Sequence, residues 1–180
     1  MTNRFGRVAV ALVFAAIYAP ALAQTKPERL LGAIPSGYQS VQEEFGNPEV
    51  TRYLRDGETI DTASELIRIY VYFGKVTLTP QQHYEEVAGQ YAARCNGAKV
   101  DLLESGNDRG YEYVLWTMSC PAQNNQSPDY SWLKAILGRD KFYVVSRLFR
   151  REPSSEQERR ALLEFFRGVR VCCRESSVTP

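Results

Sequence analysis

The chain has one histidine, His83, in 180 residues, with four cysteines, two methionines and two tryptophans. A zinc site takes four ligands, or three plus water, and one imidazole without any C-x-x-C pair does not supply them. No metal and no other cofactor is expected. Neither G-x-S-x-G nor a glycine-rich phosphate loop occurs, so the signatures of α/β-hydrolases, P-loop proteins and dinucleotide binders are all missing. Charge of either sign is in no excess: 22 Lys and Arg stand against 21 Asp and Glu, a net charge of +1. Nucleic-acid binders rest on many phosphate contacts, and this balance argues against one. Past residue 19 no apolar run approaches the ~20 residues of a spanning helix.

What is present begins with the leader-like stretch MTNRFGRVAVALVFAAIYAPALAQ. Arg4 and Arg7 precede an apolar run from Val8 to Ala19, and Ala21-Leu22-Ala23 is a small-x-small cleavage pattern. The run is too short to span a bilayer comfortably. Residues 1–23 are therefore read as a cleaved signal peptide, which predicts export, most simply to a bacterial periplasm and otherwise to the medium, with no membrane segment in the mature chain. Cleavage leaves residues 24–180, enough for one domain with its own core, and takes the basic count from 22 to 20. Gln24 to Gly138 carries 10 basic and 15 acidic residues, whereas Arg139 to Arg174 carries 10 and 5. The basic end could dock an anionic partner, although such halves more often neutralise each other within one fold.

Residues 24–34 read as a flexible segment, 35–174 as one domain and 175–180 as a disordered tail. Gly37, Gly46, Pro35 and Pro48 punctuate short extended pieces, and Asp56-Gly57 reads as a tight turn. The clearest strand is ELIRIYVYF: Ile67, Ile69, Val71 and Phe73 fall on one face, with Leu66, Arg68, Tyr70 and Tyr72 on the other. A helix over about 80–95 follows, with Thr79 as N-cap, Pro80 at its first position and Gln82 completing a capping box. Its stripe of Tyr84, Val87, Ala88, Tyr91 and Cys95 faces inward. Four strands come next, in AKVDLLES, YEYVLWTMSC, YSWLKAIL and KFYVVSRLFR, with Gly138-Arg139-Asp140 turning the last pair. A second helix over about 155–168 starts at Ser154, with Gln157 in capping-box register, and buries Leu162, Phe165, Phe166 and Val169. Segregated helices and consecutive antiparallel strands predict an α+β fold. Two main helices would pack on an antiparallel sheet of about five to seven strands.

The stretches RYLRDGETIDTASELIRI, YVLWTMSCP, WLKAILGRDKFYVVSRLFR and FFRGVRVC resemble a group of small exported proteobacterial proteins, from about Gly37 to Cys172. The strand-helix order also resembles the Mog1/PsbP-like sandwich, whose members are mostly accessory or binding proteins. Neither resemblance carries functional residues onto this chain.

In an oxidising compartment Cys95, Cys120, Cys172 and Cys173 are read as disulfide partners. A bond between neighbours Cys172 and Cys173 would be strained. The favoured pairing ties Cys95 or Cys120 to Cys172, closing a loop worth about 4 kcal/mol on the chain-entropy model; Cys95 with Cys120, the adjacent pair left over, is second. As a redox couple the adjacent thiols have the wrong spacing and follow a helix instead of opening one. His83 is the obvious general base, but it sits beside a helix stripe with no nucleophile pattern near it. Glu43-Glu44, Glu85-Glu86 and Asp56 with Glu58 read as solvated charges rather than as a glycosidase pair. The aromatics are more suggestive, 11 Tyr and 8 Phe, many on strands with one face already used. A sheet face bearing Tyr70, Tyr72, Tyr143 and Arg147, with Arg139 in the neighbouring hairpin, is the expected binding surface, since Tyr and Arg are enriched where interfaces concentrate their energy. The expected function is a non-enzymatic binding or accessory role toward a protein or envelope component. The rivals are an enzyme of unfamiliar type built on His83, and a carrier of a small apolar ligand.

Overall fold

The computed structural model describes residues 28–74, 77–122 and 128–172. The expected signal peptide, the expected tail and Cys173 lie outside them, as does the middle of the loop before Tyr130. The elements run β1 (Arg29–Leu31), β2 (Tyr38–Glu44), β3 (Glu49–Arg55), β4 (Glu65–Phe73), α1 (Pro80–Arg94), β5 (Lys99–Asp108), β6 (Tyr111–Cys120), β7 (Asp129–Leu137), β8 (Lys141–Phe149), α2 (Glu156–Gly168) and β9 (Arg170–Cys172). This is the expected α+β fold. Seven strands form one antiparallel sheet in the order β2-β3-β4-β8-β7-β6-β5, and β1 pairs with β9 in a separate ribbon. The segment expected to be loose is thus held from Arg29 onward, because its backbone pairs with the strand that follows α2.

Each strand of the sheet's centre is apolar on both sides, which requires two cover layers. On one side α1 packs Tyr84, Val87 and Tyr91 against Val114, Trp116, Met118, Phe142 and Val144. On the other, α2 and the ribbon bring Leu162, Phe166, Val169 and Val171 onto Ile67, Ile69, Leu115, Trp132 and Val145. The Trp132 and Phe166 rings stack there at 6.1 Å. One helix per face is enough because the outer strands are mostly exposed and need little cover. Both edge strands also carry a register shift, between Ser40 and Gln42 and between Leu102 and Glu104. Such irregularities blunt an edge against pairing with another chain.

α1 starts as its sequence predicts, with Thr79 and Gln82 exchanging the capping-box hydrogen bonds. α2 starts one residue later than predicted. Its capping box is Ser155 with Glu158, and Ser154–Gln157, which fits the same pattern, is not used. Glu158 wins because it also accepts from the Ser154 N–H at 2.8 Å and pairs with Arg151. At the other end, the Lys134 ammonium is 3% exposed and donates to the Phe166 and Val169 carbonyls at 2.9 and 2.7 Å. A cation there satisfies carbonyls that a helix end leaves orphaned and opposes its negative pole. Close to it, Gly32 has φ +70°, and an added Cβ would lie 2.6 Å from the Gly168 carbonyl oxygen. Only glycine fits that approach of the ribbon to α2.

Cys95, at the end of α1, is bonded to Cys120, at the end of β6. The pairing of either with Cys172 is therefore corrected. Cys172 belongs to the ribbon on the α2 side, whereas Cys120 follows Val114, Trp116 and Met118 on the α1 side. A disulfide needs Cα atoms within about 7 Å, and Cys95 meets that with Cys120 at 6.0 Å.

Candidate functional site

The five residues expected to share a surface do not share one. Tyr70 and Tyr72 lie on the α1 side, half-buried against its cluster. Val71 faces Tyr143 and Ile67 faces Arg147 across β4 and β8, which puts Tyr143 and Arg147 on the α2 side. Tyr143 is buried in that core, and its hydroxyl pKa is pushed up to about 12 by desolvation and by the charge of Glu28. Arg139 sits in the β7–β8 turn, where its backbone N–H donates to Glu28 at 2.8 Å. The split follows from strand parity: in β8 the odd positions carry Tyr143 and Arg147, but in β4 the even positions carry Tyr70 and Tyr72, and the register opposes odd to odd.

Of the five, Arg147 lines a cavity. Where α2 begins, its first turns stand off from the ends of β4 and β8 and enclose about 560 Å³. Ala63, Phe149, Pro153, Ala161 and Leu162 form apolar walls. Four arginines, Arg55, Arg147, Arg150 and Arg151, two glutamates, Glu65 and Glu158, and the hydroxyl residues Thr62 and Ser64 complete the lining.

The floor is a buried ionic cluster. Glu65 is 3% exposed and takes a hydrogen bond from the Tyr38 hydroxyl at 2.7 Å, one from Arg55 at 3.2 Å, and a close one from Arg147 Nε. Burial by itself would push this carboxyl's pKa up, but the Arg147 charge and hydrogen bond, with Tyr38 and Arg55, hold it below the usual value. Arg55 in turn donates from Nε to the Tyr38 oxygen at 3.0 Å. The Arg147 guanidinium lies 4.4 Å over the Phe165 ring and 5.6 Å from Phe149, a placement that suits a weakly hydrated planar cation. At the rim, Arg151 pairs with Glu158 at 2.6 Å, and Arg150 donates to the Ile60 carbonyl at 3.1 Å. The Glu158 pKa falls to about 2, through Arg151 and the Ser155 and Ser154 N–H groups.

Sequence reasoning missed Arg55, Glu65, Arg150, Arg151 and Glu158. One signal was available: Glu65 is the charged residue on a β4 face otherwise apolar by alternation, and Arg147 interrupts the run of Tyr143, Val145 and Phe149 on the matching face of β8, whose other charge, Lys141, stands at the far end of the strand. An ion on an apolar face needs a partner, and their shared parity points each at the other.

His83 lies on the opposite side of the sheet, with ring centroids of Phe142, Trp116 and Tyr72 at 5.2, 6.1 and 6.3 Å. Desolvation lowers its pKa, against the opposing charge of Glu86. Among the described residues no group of three or more His, Cys, Asp or Glu is arranged to hold a metal ion. No described helix is long and apolar enough to cross a membrane.

No family model and no curated protein matches the chain. Among solved structures it is similar to the solution structure of cyanobacterial PsbP (CyanoP) from Synechocystis sp. PCC 6803. The TM-score is 0.51 at 12% sequence identity, covering 88% of this chain and 98% of that one. The likeness is one of fold, and it agrees with the PsbP-like order of elements read from the sequence.

Proposed function

We propose that this chain is an exported, non-enzymatic binding protein of the bacterial cell envelope, engaging a protein or other envelope component through the arginine-rimmed cavity at the start of α2. The observation that carries this reading is the cavity, with four guanidinium groups against two carboxylates and apolar walls between them. Concave, mostly apolar sites with a few convergent polar groups are where proteins bind their ligands. Both glutamates are engaged in holding arginines and a helix cap in place, which suits recognition better than proton transfer. His83, the natural proton-transfer residue, packs among aromatic rings on the far side of the sheet. Export is supported by the leader pattern of residues 1–23, by the likeness to small exported proteobacterial proteins, and by the Cys95–Cys120 disulfide, which persists in oxidising compartments. The accessory role rests on the PsbP-like fold.

The test places a photo-crosslinking residue at position 161, in the cavity lining, and at position 85, on the exposed side of α1, in protein exported from a Gram-negative host. A discrete envelope component captured from 161 and absent from 85 is expected. Equal background labelling from both positions would defeat the reading.

A further inference from the structure

Arg147 is the most buried of the four arginines at the cavity, and most of its donors are uncommitted. A guanidinium carries five N–H donors. Arg147 uses one, Nε, toward Glu65, and its terminal nitrogens make no hydrogen bond among the described residues. Its side chain is 12% exposed, and the residue lines the cavity. A guanidinium with its terminal fork uncommitted presents the geometry that takes a carboxylate through two parallel bonds. Glu65 does not compete for that fork, because its two oxygens already accept from Tyr38, Arg55 and Arg147 Nε. Charge favours the same occupant: four arginines against two glutamates leave the lining with a surplus of positive charge. The walls then define the rest of the ligand. Phe149, Pro153, Ala161 and Leu162 offer apolar surface beside the guanidinium, and a cavity of about 560 Å³ lies within the range of small-molecule sites.

We propose that the cavity binds a monocarboxylate carrying an apolar body, its carboxylate paired with Arg147 and its body against Phe149, Ala161 and Leu162. This rests on the cavity being the binding site and adds what it recognises. A free carboxylic acid and the apolar C-terminus of a protein chain share this chemistry, and the test separates them.

The mature protein, purified after export, is titrated with decanoate, decanol, decyltrimethylammonium and decyl phosphate, following calorimetric heats and the amide shifts of Ala63 and Ala161. Decanoate is expected to bind about tenfold or more tighter than decanol, as charge-assisted hydrogen bonds require, and decyltrimethylammonium not at all. Arg147→Gln should remove the preference for decanoate over decanol. Because Arg147 also anchors Glu65, Ala161→Trp is the second variant; it fills the cavity from an exposed helix position, leaves the ion pair in place, and should abolish binding. A short apolar peptide is tested with a free and with an amidated C-terminus. Carboxylate-dependent binding of the peptide but not of decanoate supports the proposal and assigns the source to a chain end. Equal binding of decanol and decanoate, tighter binding of decyl phosphate, or retained binding in Ala161→Trp would each overturn it. So would silence from every probe, while crosslinking from position 161 would still decide the function proposed above.

Discussion

Glu65 opens the strand with the clearest alternation in the chain, yet it is a carboxylate on that strand's buried face. Its partners make it worth keeping: without Arg147 it would be a buried charge with too little compensation, and without Glu65 the same holds for Arg147. Breaking such a pair from one side costs about 3 kcal/mol. Glu65→Gln should therefore lower stability by about that amount in chemical denaturation, and a loss under 1 kcal/mol would show that the cluster is not coupled. The same carboxyl links stability to acid. Its pKa is lower folded than unfolded, so its contribution is complete above the ordinary carboxyl value and disappears as pH falls through the folded one. The denaturation midpoint should drop with acidification below about pH 4.5, and Glu65→Gln should flatten that drop.

α2 shows how two local signals compete and how tertiary contacts choose between them. Ser154 and Ser155 both stand three residues before a Gln or Glu, so the capping-box pattern marks the helix start without deciding which serine is the N-cap. The observed cap predicts that Ser155→Ala costs about 1 kcal/mol and Ser154→Ala much less; thermal melts of the two variants compare them directly, and equal costs would contradict the assignment. At the other end, burial lowers the Lys134 pKa to about 8 despite the charges of Asp108 and Glu104. Folding then releases a proton between about pH 8 and the ordinary lysine value of 10.5, so stability rises with pH through that window. A neutral amine keeps two N–H groups, one for each carbonyl it serves. An NMR titration should find one lysine ε-carbon moving near pH 8. If all lysines titrate near 10.5, Lys134 is better solvated than its burial implies.

At the scale of the molecule the Cys95–Cys120 bond fastens α1 to the sheet and closes a loop of 25 residues, worth about 3 kcal/mol on the chain-entropy model. Non-reducing peptide mapping should recover these two cysteines in one linked fragment, and Cys95→Ser with Cys120→Ser should lower the melting temperature while leaving the fold. A fragment joining either to Cys172 would refute the topology. Strands β4 to β8, the two helices and the α+β class were legible from the chain alone, because alternation, capping boxes and turn residues are local and each of these elements carries its own, whereas β1 exists only through its pairing with β9. So was the parity that puts Arg147 with Tyr143. What the chain could not display is which face of the sheet each helix covers. That choice depends on contacts between residues far apart in sequence, and it decides that Cys120 meets Cys95 and that Glu158 closes a cavity over Arg55, Glu65 and Arg147, while the β4–β8 register, equally non-local, turns Tyr72 away from Tyr143.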